Sequence, residues 1–203
     1  MILRFLHGWA LDGRLWEQVV PLLAGFDCRI DDRGYFGAAM AAPEGEIAVA
    51  HSFGTMRALA VPGGMRALVA INGFDCFAAR DGFPGVPPRV VERMLARFGA
   101  AQGAVVADFR ARCGLGETPP LRDAAALGAD LAALGQQDWR GACSVPVTVV
   151  QAANDPILPP AMQGAVFAGA AERITLPDGG HLLPLTAPEA CAAAIRGAAE
   201  RLA

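Results

Sequence analysis

The sequence predicts an α/β fold on a mainly parallel sheet, and three observations carry that prediction. Short apolar runs alternate with helical patterns along the whole chain. The runs are continuous rather than alternating, as expected of strands buried on both faces. Their spacing leaves room for a helical crossover after most of them, the arrangement that makes neighbouring strands parallel. A length of 203 residues and a mass of 21.0 kDa suit one domain with a small insertion.

Residues 2–6 read as the first strand. Residues 15–23 read as a helix, with Leu15, Val19, Leu22 and Leu23 as its apolar positions. Residues 28–31 form a weaker strand and 47–50 a stronger one. A helix over 54–60 is ended by Pro62 and the Gly63-Gly64 pair. Strands follow at 67–71, 147–151 and 174–176, with helices at 160–170 and 188–202 beside the last two. About seventy-five residues between Ile71 and Val147 hold no convincing strand but carry a helix near 89–98 and further alanine-rich helix. Residues 1–75 and 141–203 therefore read as the core and 76–140 as a helical lid insertion. In such folds an insertion of this kind sits beyond the carboxyl ends of the strands, where ligands bind; a long surface excursion would not hold its apolar residues.

Composition removes several chemistries. Lysine is absent, so no Schiff-base or lysine general-base mechanism is open. Five scattered cysteines (Cys28, Cys76, Cys113, Cys143, Cys191) with no C-x-x-C pair read as reduced thiols. Three histidines without ligand spacing call for no metal, and nothing calls for a cofactor. A net charge of −3 and a pI near 5.6 argue against nucleic-acid binding. No apolar run approaches the ~18 residues of a membrane helix, and no signal peptide is visible, so a cytoplasmic protein without a membrane partner is expected.

The chemistry concentrates in three loops that follow strands. Ala50-His51-Ser52-Phe53-Gly54 has the small-x-Ser-x-small pattern of a nucleophile elbow between a strand and a helix. The bland reading is an N-cap serine. A serine nucleophile needs a base and the base an orienter. His181, after the last strand, and Asp155, after the one before it, lie at the same sheet edge as Ser52, in the order Ser, Asp, His. Asp75 and Asp178 compete for the orienting role; the position of Asp155 fits better. Leu6-His7-Gly8-Trp9 follows the first strand, where a His-Gly turn supplies an oxyanion-hole amide. The donors would be the amides of Trp9 and Phe53, with His7 stabilising the turn.

With these motifs in place, the chain resembles the α/β-hydrolases, and among them the pimeloyl-acyl-carrier-protein methyl ester carboxylesterases of biotin synthesis. His7-Gly8-Trp9, the elbow and the Asp155/His181 pair carry the fold resemblance. Leu6-His7-Gly8-Trp9-Ala10-Leu11 and the run from Cys76-Phe77-Ala78-Ala79-Arg80 through Asp81-Gly82-Phe83-Pro84 to Gly85-Val86-Pro87-Pro88 carry the family resemblance. It implies an α/β-hydrolase fold with a reduced sheet of about six strands and a short helical lid. It also implies a serine carboxylesterase that hydrolyses the methyl ester of an acyl chain borne by an acyl carrier protein. Trp9 becomes a substrate contact, and Phe109, Arg110, Ala111, Arg112 and Cys113 become lid residues lining the acyl channel. The chain departs from the family in starting at the strand before His7, which leaves the first two strands without counterparts. It departs again in a shorter lid, in a compressed segment 33–46, and in Asp108, where a basic residue is expected.

Charge gives an independent reading of the partner. Seven arginines against four acids between Arg80 and Arg122 make the insertion +3, while the rest of the chain is −6. Arg89, Arg93 and Arg97 recur every fourth residue, along one helix face. That face suits docking to an acidic carrier protein or its phosphopantetheine arm; a solvated face paired to Glu92 and its neighbours is the plainer alternative. Two other functions compete with the carrier-bound ester: a general short-chain carboxylesterase acting on free esters, and a catalytically inactive binding module on the same fold. A lyase or haloperoxidase on this fold has no distinctive residue in its favour.

Overall fold

The computed structural model describes residues 1–42, 44–61 and 63–203. Pro62, expected to help stop a helix, lies outside them. The sheet has six strands: β1 (Ile2–Leu6), β2 (Asp27–Asp31), β3 (Ile47–His51), β4 (Ala67–Ile71), β5 (Val147–Ala152) and β6 (Glu172–Leu176). They lie in the order β2-β1-β3-β4-β5-β6 with every neighbouring pair parallel. All residues of β3, β4 and β5 are buried, which is why they read as unbroken apolar runs.

Successive side chains of these strands enter two separate cores. Ala48, Ala50, Leu68, Ala70 and Val149 face α1 (Gly54–Leu59) and the helices of the insertion. Leu3, Phe5, Ile47, Val49, Ala67, Val69 and Ile71 face the opposite way, against α7 (Pro188–Glu200) and the segment after β1. Chain direction across the sheet reverses at β1, whose two neighbours are β2 and β3. That switch opens a crevice at the carboxyl ends of β1 and β3, where a ligand site forms in open α/β sheets.

Several elements differ from expectation. Residues 15–23 form no α-helix but two 3-10 turns, Gly13–Trp16 and Val20–Leu22. Asp12 caps the first from its side chain, and Pro21 has no N–H with which to continue a helix. Leu22 is exposed, while the unpredicted Trp16 is fully buried. The helix expected over 160–170 stops as α5 (Pro160–Ala165), ahead of Phe167 with φ +46°. β6 begins two residues earlier than expected.

The insertion carries α2 (Pro88–Ala100), α3 (Gln102–Arg112) and α4 (Ala124–Gln136). A four-residue turn, α6 (Leu183–Thr186), follows β6. Val91, Phe98, Leu127, Leu131 and Leu134 from the insertion belong to the same core as Leu68 and Val149 of the sheet. Polar ties add to this: the Tyr35 hydroxyl and the Arg33 guanidinium both donate to Asp130 on α4, at 2.6 and 2.7 Å. A shared core makes insertion and sheet one cooperative unit. Leu131→Ala should therefore cost about 2–5 kcal/mol in urea unfolding, with tryptophan fluorescence and circular dichroism moving in a single transition. Two separated transitions would contradict the shared core.

Candidate active site

Ser52 opens the turn from β3 into α1 with φ +53°, a left-handed conformation that L-residues rarely hold. Its neighbours make this possible. A Cβ on Gly54 would collide with the carbonyl oxygens of Leu6 and His7, and a Cβ on Gly8 would lie 2.9 Å from Ser52 Cβ. Ala50 stands where a second glycine is usual; it fits because its partners across the sheet are Leu6 and the small Ala70.

Three side chains meet in series at this edge. Asp155 Oδ2 accepts from His181 Nδ1 at 2.8 Å, and His181 Nε2 lies 3.0 Å from Ser52 Oγ. Because the carboxylate accepts a hydrogen bond from Nδ1–H, the lone pair of Nε2 faces the serine hydroxyl. All three residues are buried. Asp155 is itself fixed through Oδ1, which accepts from the amides of Ile157 and Leu158 at 2.7 and 3.3 Å. The competing acids are engaged elsewhere. Asp75 accepts from the Phe167 amide, and Asp178 is exposed and faces the Asn154 amide group.

The loop after β1 completes the site. His7 Nε2 accepts from the Arg33 amide at 2.9 Å, so its Nδ1 donates to the Gly8 carbonyl at 2.8 Å. His7 thus shapes the turn. Among the described residues, the amides of Trp9 and Phe53 donate to no protein acceptor. The Trp9 indole donates to the Leu127 carbonyl at 2.8 Å, and its ring meets Phe109 edge-on at 4.9 Å.

Above this edge lies a mostly apolar cleft of about 510 Å³ between the insertion and the segment 155–160. Trp9, Phe109 and Arg112 line it, as do Arg93 and Arg97; Arg89 does not. Arg110, Ala111 and Cys113, expected to line the acyl channel, do not either. Helical spacing explains the split: positions 109 and 112 share a face of α3, and the residues between them and after them turn away. Arg110 is buried against the Ala10 carbonyl, Ala111 is exposed, and Cys113 is buried with its thiol pushed up to about 12 by burial and by the nearby Asp155 charge. Arg97 pairs with Asp108 at 2.8 Å rather than with Glu92. Ser52 and His181 are outside the cleft walls, and the Phe109 ring, which lines the cleft, lies 6.4 Å from the His181 ring.

Asn72, absent from the expected site, and His51, expected only as part of the elbow, hold the histidine loop. Asn72, at φ +42° after β4, donates from Nδ2 to the carbonyls of Gly180 and His181, each at 2.9 Å, and accepts from the Ala152 amide. His51 donates from Nε2 to the His181 carbonyl at 2.8 Å. An asparagine directly after a strand is a recognisable left-handed turn signal; its partners more than a hundred residues away leave no local trace.

No family model matches the chain. Among curated proteins, it is 32% identical over 143 residues to a pimeloyl-[acyl-carrier protein] methyl ester esterase of Klebsiella pneumoniae subsp. pneumoniae, covering 60% of this chain and 56% of that protein. It is 28% identical over 171 residues to the protein of the same name from Edwardsiella ictaluri, covering 66% of each. The chain spans about half the length of several curated relatives it matches, 43% of the Aeromonas hydrophila protein for instance. Among solved structures, an esterase from Exiguobacterium antarcticum superposes with a TM-score of 0.77 at 16% identity, covering 97% of this chain and 91% of that one. A bromoperoxidase from Bacillus anthracis gives 0.77 at 17%, covering 98% and 91%. These likenesses establish the α/β-hydrolase fold.

Burial, and then the adjacent His181, push the His51 imidazole well below the usual histidine range. The folded chain keeps it neutral, whereas the unfolded chain binds a proton below about pH 6.5. Its contribution to stability is complete above that pH and is lost as pH falls. Between pH 7 and pH 5 the Tm of wild type should therefore drop more steeply than that of His51→Gln; parallel profiles would contradict this.

Proposed function

We propose that this chain, an α/β-hydrolase by fold, is a serine carboxylesterase whose substrate is an acyl methyl ester presented by an acyl carrier protein. The observation that supports it most is the unbroken series Asp155–His181–Ser52 at 2.8 and 3.0 Å. In this reading His181 Nε2 takes the Ser52 proton as Oγ attacks the ester carbonyl. The carbonyl oxygen becomes an oxyanion held by the Trp9 and Phe53 amides. Collapse breaks the bond to the alkoxy group, which leaves as methanol with the proton from His181. Water, deprotonated by His181, then attacks the acyl-enzyme and releases the free carboxylate and Ser52. Asp155 keeps His181 in the required tautomer and stabilises the imidazolium between these steps.

The cleft supplies the acyl site and residues 76–140 act as its cap over the core of 1–75 and 141–203. For an ester to pass from the cleft to Ser52, the Phe109 ring swings aside. The carrier-bound substrate is supported by two things: the names of the curated relatives, and the position of Arg93, Arg97 and Arg112 on the walls of a mostly apolar cleft, where they outnumber the carboxylates Asp108 and Asp155. Arginines in this position attract an acidic carrier and its phosphorylated arm. The setting is the cytoplasm and the pathway context biotin synthesis. Among the described residues no helix is long and apolar enough to cross a membrane.

Ser52→Ala should lower kcat for a p-nitrophenyl ester by about 10⁴-fold or more while the chain stays folded. Retained turnover would remove the serine mechanism and favour a non-catalytic module. The carrier is tested separately with Arg89→Ala, Arg93→Ala and Arg97→Ala combined. Methanol release from pimeloyl-acyl carrier protein methyl ester should fall about 10–100-fold in kcat/KM, with the free ester changed less than about twofold. Equal effects on both substrates would leave a general esterase of free esters.

A further inference from the structure

Arg110 lies between Phe109 and Arg112, which line the cleft, yet its own side chain does not. It is buried, and among the described residues it forms no ion pair with a carboxylate. Burying a guanidinium without a counter-charge is costly, so its hydrogen bonds must hold it there. Nη1 donates to the Ala10 carbonyl at 2.9 Å and Nε to the Glu117 carbonyl at 3.0 Å, with the guanidinium carbon 5.1 Å from the centre of the Phe36 ring. Ala10 has φ +55°, a conformation that an alanine keeps only when its surroundings determine it. The residue before it is Trp9, whose indole is also tied to the insertion through the Leu127 carbonyl.

Two consecutive residues of the loop after β1 are thus held by two helices of the insertion, α3 through Arg110 and α4 through Leu127. We propose that Arg110 is a positioning residue that sets the oxyanion loop by holding the Ala10 carbonyl, and so aims the Trp9 amide at the reacting carbonyl oxygen. This rests on the serine-esterase reading given above. It assigns the insertion a second role besides covering the cleft: it sets one of the two oxyanion donors. Arg110 touches no substrate, and its effect passes entirely through the 9–10 backbone. An amide displaced by a fraction of an ångström loses much of its worth to a developing charge, while ground-state binding in the cleft is untouched.

The test is Arg110→Met, which keeps an unbranched stem and deletes both donors, beside Arg110→Lys, which can restore one. With a p-nitrophenyl ester, Arg110→Met should lose about 10–100-fold in kcat with KM within about twofold. Affinity for an acyl trifluoromethyl ketone, which forms an oxyanion on Ser52, should fall by the same factor, and Arg110→Lys should lie between. If kcat and ketone affinity both stay within about twofold of wild type, the proposal fails. It fails equally if kcat falls while ketone affinity does not, since a loss of folded enzyme or of cleft shape would give that result. Should Arg110→Met not fold, the kcat and ketone affinity of Arg110→Lys, changed together or not, decide in the same way. Activity surviving in Ser52→Ala would instead remove the underlying reading whatever Arg110 does.

Discussion

The left-handed backbone of Ser52 is the constraint on which the rest of this structure depends. Holding φ +53° at a serine is costly, by about 1–3 kcal/mol. It persists because β3 enters the turn from a fully paired central position and α1 leaves it at once. Both sides must be empty of bulk: Gly54 lies against the Leu6 and His7 carbonyls, and Gly8 lies against Ser52 itself. The same close approach brings the loop after β1 alongside the elbow. The two unpaired amides, of Trp9 and Phe53, are therefore consequences of the packing that strains the serine. The free amides and the placement of the Ser52 hydroxyl beside His181 arise from one arrangement of backbone.

The other half of the site is held by hydrogen bonds rather than by close packing. The loop bearing His181 contains Gly179 and Gly180, both with positive φ, and carries little rigidity of its own. Asn72, His51 and Asn154 hold it from three elements, through the carbonyls of 180 and 181 and the amide of 180. Asp155 then fixes the ring. The insertion does for the loop after β1 what these residues do for the histidine loop. A buried arginine and an indole N–H reach in from α3 and α4. The helical segment between β4 and β5 thus shares the core of the sheet and hydrogen bonds with the loop after β1.

What could be read from the sequence follows the range of the interactions involved. Strand signals are local, and all six strands were legible, β2 and β6 only in part because Asp27–Asp31 and Glu172–Leu176 carry charged residues; so were the strand–turn–helix at Ser52 and the loops after β1, β5 and β6. The helix expected over 15–23 failed because its apolar spacing is also satisfied by two 3-10 turns, and Pro21 forbids the longer bond pattern. The roles within 109–113 were out of reach for a different reason. α3 has arginines and apolar residues around its whole circumference, so only packing sets which of them meet the cleft. Asn72 and His51 act on atoms 108 to 130 residues away in sequence, and no local pattern announces such contacts.

The claim at the centre of this account is that Ser52 is a nucleophile activated by His181 and Asp155. The most direct measurement is covalent: treat the folded chain with a fluorophosphonate and locate the adduct by intact mass and peptide mapping. The account predicts one adduct per chain, on Ser52, formed far more slowly when Asp155 is replaced by Asn. An unmodified chain, or an adduct confined to any other residue, would contradict it.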